Sequence, residues 1–315
     1  MPAHLLSVVM PTRNRPGQLE RAARSVLAQE GVELELVIVD DASSDGTPEV
    51  ADRLGADPRV RIMRNGTSLG PGGSRNQGIA VARGDLLGFC DDDDEWLPGA
   101  ASVTLDRFAA DTEVGVVTSW HQVVHDQTGR TVPFRGPLEY RAEQLLWFNF
   151  VALPFGIIRR SLFPGDLAVD ADLPSCEDWD LWLRCAQIRP ICTVPRFLYG
   201  YHQHGGVRVT RNGSGDLVGR QGFLDKHASS MSPSCRLYHE FVVAQLAGGR
   251  AALVERARAA YRTPAAASVA ASVLGAGAAA GAIGMRRGDP GLPARVLAGV
   301  LGRRPEGRRR EGTHR

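Results

Sequence analysis

No CxxC pair occurs in this chain. Its five cysteines lie apart, at Cys90, Cys176, Cys185, Cys192 and Cys235. An odd count without paired spacing suggests neither a disulfide framework nor a zinc knuckle, and reduced thiols in a cytosolic protein are expected. A dominant charge is missing too. Thirty-seven Lys and Arg stand against 35 Asp and Glu, a net +2, so no global field argues for nucleic acid as a partner. The opening MPAHLLSVVMPTRNR has too short an apolar run for a signal peptide and no cleavage-site pattern. No Walker A sequence occurs, which disfavours a P-loop kinase or ATPase. One stretch, Pro264 to Met285, lacks charge altogether. Its length suits a bilayer, but it is mostly Ala and Gly and so weakly driven into lipid. A packed, small-residue helical tail is the expectation there.

What is present is ordinary in bulk, with 43% hydrophobic and 23% charged residues over 315 positions. That suffices for one large α/β domain with an appendage. The first hundred residues alternate strand and helix patterns: LLSVVMPT, then RPGQLERAARSVLAQ with Leu19, Ala22, Ala23, Val26 and Leu27 on one side, then ELELVIVDDAS, TPEVADRLGA, RVRIMRNG, GPGGSRNQGIAVARG and DLLGFCDDDD. Such alternation predicts a mostly parallel sheet with right-handed crossovers and helices on its faces. Between 115 and 200 the pattern predicts a strand in GVVTSWHQVV, a helix in YRAEQLLWFNF and a strand entering a helix or turn in FGIIRRSLF. SCEDWDLWLRCAQI reads as a helix with Leu181, Leu183, Cys185 and Ile188 inward. GDLVGRQGF marks a loosening near 213 to 223. The predicted division is a domain over 1–225 and an Ala- and Arg-rich helical tail over 226–315.

The polar clusters fall at predicted strand ends: Pro11 to Arg15 (with Thr12 and Arg13), Asp40 to Asp45, and Asp91 to Asp94. Ligands of parallel α/β sheets sit beyond those ends, so the clusters are expected to share a cleft. Turn chemistry accounts for Ser44, Asp45 and Gly46, but it does not need Asp40 and Asp41, whose carboxylates can accept from a base N–H or a ribose hydroxyl. GPGGSRNQG is not GxGxxG and follows the third strand, where a dinucleotide fold would use the first. Arg75 within it is a candidate charge partner for a diphosphate. Four successive aspartates repel one another unless a cation or hydrogen-bond donors offset the cost. A hard cation, Mg²⁺ or Mn²⁺, takes oxygen ligands and needs few carboxylates when phosphates and water supply the rest. In CEDWDLW, acids at a helix start suit the helix dipole. Moving a group from phosphate to an acceptor hydroxyl also needs a base, for which Asp178 is the candidate, with Glu177 orienting it.

Together VVMPTRNRPGQLERAARSVLAQ, VDDASSDGT, RNQGIAVARGDLLGFCDDDDEWLPG and CEDWDLWLR resemble, in order, the motifs of the family 2 glycosyltransferases, which have the GT-A fold. The resemblance covers about residues 5 to 205. It implies that Pro11 and Arg13 line the base pocket and that Asp41, with Asp40 beside it, contacts the base. It further implies that Asp92 or Asp91 binds the ribose and that Asp93, with Asp91 also a candidate, binds the metal. The run can also be read one residue later, which keeps Asp94 a candidate. Asp178 would be the general base of an inverting displacement. The family's metal-proximal histidine matches His202, with His204 as the alternative, although the family usually has an arginine where this chain has Gly200. His121 and His125, on a predicted strand, receive no role.

The expected reaction is metal-dependent transfer of a sugar from a nucleoside diphosphate, with uracil as the base the resemblance favours. The acceptor is a glycan, a lipid-linked sugar, a peptide or a small molecule, shaped by Trp120 to Phe163 with Trp147, Phe148 and Phe150 available for stacking. Two other readings stand beside it. A nucleotidyltransferase is opposed by the downstream ED motif, and a non-catalytic sugar-nucleotide-binding protein is opposed by the intact Asp-x-Asp and Asp178. The expected place is the cytoplasm. Nine arginines against three acids from Arg286 to Arg315 allow peripheral contact with anionic lipid at the inner membrane face.

Overall fold

A computed structural model describes residues 4–149, 153–163, 167–203 and 213–247. The predicted alternation appears over the first ninety residues. Strand β1 (Leu5–Thr12), helix α1 (Pro16–Leu27), β2 (Glu33–Asp40), α2 (Thr47–Leu54), β3 (Val60–Arg64), α3 (Gly70–Val81) and β4 (Leu86–Phe89) follow in turn. The four strands pair in parallel in the order β3-β2-β1-β4. Thr12 aligns with Asp40, and Asp40 with Arg64, so the polar strand tips reach one edge together. Side chains alternate across a strand. Leu6, Val8, Met10, Leu36 and Ile38 join Leu19, Ala22, Ala23 and Val26 of α1 and Val50 and Ala51 of α2 in one buried cluster. Val9 and Val39 point the other way, against α3. A Cβ on Gly78 would lie 2.4 Å from Val9, so glycine is what lets that helix approach the sheet.

The sheet continues through β5 (Glu95–Trp96), α4 (Ala100–Ala110), β6 (Val116–His125), β7 (Arg130–Phe134), β8 (Glu139–Tyr140), α5 (Ala142–Leu145), β9 (Ile157–Arg159), α6 (Glu177–Ile188) and β10 (Ile191–Gln203). Its full order is β3-β2-β1-β4-β9-β6-β10-β5, with β7 on β6 and β8 on β10. Strand β9 runs antiparallel to both β4 and β6, and β10 is parallel to β6. The result is a mixed sheet whose long pairings are parallel.

Three sequence expectations are corrected. Among its described residues, YRAEQLLWFNF is helical only over Ala142–Leu145. Tyr140 is buried and paired with Ile191 at the sheet edge, which holds the chain extended up to that point. Ile188 of α6 is 47% exposed, and the inward bulk comes instead from Trp179 and Trp182. The stretch read as a loosening is helix α7 (Gly213–His227). Its glycines serve contact, since a Cβ on Gly219 would lie 2.2 Å from Ser175 Oγ and one on Gly222 would lie 2.6 Å from Leu173.

The chain forms two compact units, Met1–Ser229 and Ser230–Arg315. The described part of the second contains α8 (Pro233–Leu246). The rest of the expected tail, the Pro264–Met285 stretch, the basic end, His204 and Phe150 lie outside the described residues. No helix among the described residues is long and apolar enough to cross a membrane.

Candidate active site

At the carboxyl edge the backbone is bent out of the usual regions. Among the described residues, three that are not glycine have positive φ: Asn14 (53°), Ala42 (57°) and Cys176 (68°). Asn14 follows β1, Ala42 follows Asp41, and Cys176 precedes Glu177. Such conformations cost free energy and persist where surrounding contacts fix them. Here the loops are stitched together. Asn14 N donates to Ser43 Oγ (2.9 Å), Ser44 N to Asn14 Oδ1 (2.8 Å), and Arg15 N to Thr47 Oγ1 (2.9 Å).

Asp40 and Asp41 are both buried. Asp40 accepts from Ser43 N at 3.1 Å. Asp41 accepts four bonds, from Asn65 Nδ2 (2.8 Å), Ser68 Oγ (2.6 Å), Leu69 N (2.7 Å) and Gly70 N (3.0 Å). Burial alone would raise its pKa, but the donors, led by Ser68 and Leu69 N, outweigh burial and hold it low. Asp41 thus fastens the loop that starts α3, where Gly70 has φ of 73°. Arg13 Nη1 reaches the same Ser68 at 2.6 Å. Pro11 is buried within β1, and Arg13 is exposed beyond it.

The acidic run folds into a turn whose members face different ways. Asp92 accepts from Thr12 Oγ1 and Arg15 Nη1, both at 2.8 Å. Burial pushes it up to about 6, with Arg15 opposing and Asp93 adding. Asp93 accepts from Arg15 Nη1 at 3.1 Å, and its carbonyl accepts from Arg21 Nη2 at 2.8 Å. Asp94 accepts from His202 N at 3.0 Å, and Asp91 from Arg75 Nη2 at 2.7 Å. Asp91, Asp93 and Asp94 each offer a carboxylate oxygen, all within 4.8 Å of one another. Three convergent oxygen donors fit a hard divalent cation.

His202 stands outside that trio. Its Nδ1 meets Asp126 at 2.7 Å and its Nε2 lies 3.4 Å from Glu95. Glu95 first, then Asp126, hold its pKa above the ordinary value against burial. Sequence reasoning did not foresee Asp126 or Arg21. Asp126 sits in no motif and is brought in by the β6–β10 pairing, while Arg21 lies within the first motif, on α1, where nothing in the helical spacing singles it out.

Helix α6 supplies the other side. Arg75, 5% exposed, donates from Nη1 to Glu177 Oε1 at 2.9 Å while holding Asp91. Asp178 accepts from Trp179 N (2.7 Å) and Asn149 Nδ2 (2.9 Å). Burial pushes it up to about 7, Glu177 adds to this, and Trp179 N, Asn149 and Arg75 oppose. Asn149 was also unforeseen, lying just past the aromatics Trp147 and Phe148, which are half-buried. The arrangement joins a neutral-range carboxylate to a three-oxygen cluster through one arginine. It can take a proton on one side and hold a cation beside an anionic leaving group on the other.

The sequence profile described as Glycosyl transferase family 2 matches residues 7–163. An uncharacterized Mycobacterium tuberculosis protein is 33% identical over 232 residues, 66% of this chain and 70% of that one. A Campylobacter jejuni GalNAc(5)-diNAcBac-PP-undecaprenol beta-1,3-glucosyltransferase is 40% identical over 104 residues, 32% of this chain and 34% of that one, so the match spans about a third of that relative. Among solved structures, S. aureus TarS in complex with UDP-GlcNAc superposes with a TM-score of 0.60 at 19% identity, covering 76% of this chain and 71% of that one. The mannosyltransferase PcManGT of Pyrobaculum calidifontis, with GDP-Man and Mn²⁺, gives 0.57 at 18%, covering 95% and 84%. The mixed sheet is therefore the GT-A fold, and the chain belongs to glycosyltransferase family 2.

Proposed function

We propose that this chain is a divalent-metal-dependent, inverting glycosyltransferase that uses a nucleoside diphosphate sugar, with Asp178 as general base. The observation that carries this is the ion-pair chain Glu177–Arg75–Asp91, which ties the helix start bearing Asp178, pushed up to about 7 by burial, to a three-carboxylate cluster. Asp178 takes the proton of the acceptor hydroxyl as its oxygen bonds to the anomeric carbon. The glycosidic C–O electron pair leaves with the nucleoside diphosphate. Asp91, Asp93 and Asp94 would hold the Mn²⁺ or Mg²⁺, which supplies charge stabilisation for that leaving group. Asp92, braced by Thr12 and Arg15, is the ribose candidate. Pro11, Arg13, Asp40 and Asp41 border the base.

A UDP-sugar is the favoured donor. A lipid-linked saccharide is the favoured acceptor, supported by the undecaprenol-linked substrate in the name of the Campylobacter relative. That choice accords with a cytoplasmic protein touching the inner membrane face through Arg286 to Arg315.

The test is a thermal-shift titration with UDP, TDP and GDP, each with and without Mn²⁺, beside Asp93→Ala. A rise in Tm that needs both Mn²⁺ and one nucleotide, and is lost in Asp93→Ala, supports the reading and names the base. No response to any diphosphate would sink it.

A further inference from the structure

Arg75 does more than the sequence suggests for a diphosphate partner. Both terminal nitrogens are already engaged, Nη1 on Glu177 and Nη2 on Asp91. A guanidinium can do this because its donors form a rigid fork. The guanidinium is almost fully buried and Glu177 mostly so, while Asp91 is 29% exposed, so salt and water screen the Glu177 arm less than the Asp91 arm. Nε is buried and has no hydrogen-bond partner among the described residues. The helix that carries Arg75 is itself pinned, through Leu69 and Gly70, to Asp41. One cation thus stands between the acidic loop after β4 and the first turn of α6.

We propose that Arg75 is a positioning residue that couples the two halves of the site, so that a divalent cation taken up by the acidic loop is felt at the base helix α6. This rests on the reading of Asp91, Asp93 and Asp94 as cation ligands and of Asp178 as base. The physics is competition for Asp91. A cation on Asp91 draws that carboxylate away from the guanidinium and leaves Arg75 more fully to Glu177. A better-compensated Glu177 repels a charged Asp178 less. Coupling of this kind is reciprocal. The groups facing Asp178 are Glu177, Arg75, the Asn149 amide, the Trp179 N–H and the Cys176 thiol, which burial keeps neutral by pushing it up to about 11.

Two readouts test this on the full chain, and neither needs turnover or an acceptor. One is Tm against Mn²⁺ alone. The other is carboxyl-carbon NMR titration of Asp178, its resonance assigned by its loss in Asp178→Asn. In Arg75→Gln, Mn²⁺ affinity rises on the order of tenfold, because a like charge has been removed beside the ligands, and the Asp178 midpoint moves up by about one pH unit. In Glu177→Gln the midpoint moves down by about as much. Arg75→Lys keeps the charge and returns both readouts toward wild type. It carries the test with Glu177→Gln if Arg75→Gln does not fold.

Weaker Mn²⁺ binding with an unmoved Asp178 would make Arg75 merely structural and overturn the coupling. Unchanged Mn²⁺ binding and midpoint, with UDP stabilisation abolished, would make it a diphosphate ligand and overturn it equally. A wild-type chain indifferent to Mn²⁺ and UDP would overturn the proposed function and with it the cation half of the coupling. That failure is recognised separately, because the carboxyl titration needs neither.

Discussion

Asp178 and Asp180 sit two residues apart in the same turn, yet their surroundings drive them in opposite directions. Burial raises Asp178 to about 7. Asp180 is more deeply buried, but it accepts from His227 Nε2 (2.8 Å) and Arg184 Nε (2.9 Å) with Lys226 Nζ at 2.9 Å, and these partners overcome burial and hold it well below the carboxylate range. In the sequence both look like acids decorating a helix start. The helical period does separate them, since residues two apart point to nearly opposite sides, and Arg184, four residues on, falls on the Asp180 side, but nothing in the sequence brings in the other two partners. His227 and Lys226 lie far along the chain. The base assignment has a direct consequence for rate. Asp178→Asn should lower kcat by about 10²- to 10⁴-fold while leaving UDP-dependent stabilisation in place. In the wild type, kcat/KM should fall as pH drops through about 7 and level off above it, because the base acts only when deprotonated. A profile flat from pH 5.5 to 8.5 would remove Asp178 from that role.

Helix α7 shows how a local signal misleads at the scale of an element. Gly219 and Gly222 weaken helical propensity, so the stretch reads as irregular. Its packing overrides that. Phe223 stacks on Trp179 at 4.2 Å between centroids, and Arg220 lies over the same indole at 5.0 Å. The glycines let α7 close onto the segment before α6. Two substitutions should therefore differ in sign. Gly219→Ala adds a Cβ 2.2 Å from Ser175 Oγ and 2.3 Å from its carbonyl oxygen and should destabilise by about 1–3 kcal/mol. Gly215→Ala meets nothing within 4 Å and should stabilise by up to about 1 kcal/mol. Urea denaturation of the two variants measures both, and a gain at Gly219 would return the region to the loose reading. The elements of the first ninety residues were legible because long apolar strands and amphipathic helices alternate there. Strand β9, though only three residues long, lies inside the strand expected in FGIIRRSLF, whereas β8 has two residues, too few for any period to register.

Across the whole molecule, the two edges of the sheet divide the work. The carboxyl edge holds the three positive-φ residues and the acidic loop. The opposite edge holds Glu35, buried at 2% exposure, which accepts from Ser7 Oγ (2.6 Å), Arg83 N (2.7 Å) and Arg83 Nε (2.9 Å). Ser7 in turn accepts from Gly84 N at 2.7 Å. Burial alone would raise Glu35, and these donors bring it below its ordinary value of 4.5. Its stabilisation is therefore complete above that value and fades as pH falls through the lowered one. Glu35→Gln should cost about 1–3 kcal/mol at pH 7, with the gap to wild type narrowing in acid and the Tm increment from UDP and Mn²⁺ unchanged. A lost increment would mean that the two edges are not separate. The sequence marked the functional edge by clustering acids at strand ends. It gave no sign of Glu35, whose neighbours in ELELVIVD look like one more alternating strand.

The pairing of β9 also has a consequence in time. Strand β4 is flanked by β1 and β9, and β6 reaches it only through the three residues Ile157–Arg159. As the chain leaves the ribosome, β1 to β4 can pair while one flank of Leu86–Phe89 stays bare. That flank stays bare until residue 157 has been made, however long synthesis of the intervening loops takes. An open, apolar strand edge is a template for another chain. The newborn protein is therefore most exposed to mispairing during that interval, and a slow codon between β4 and β9 would lengthen it.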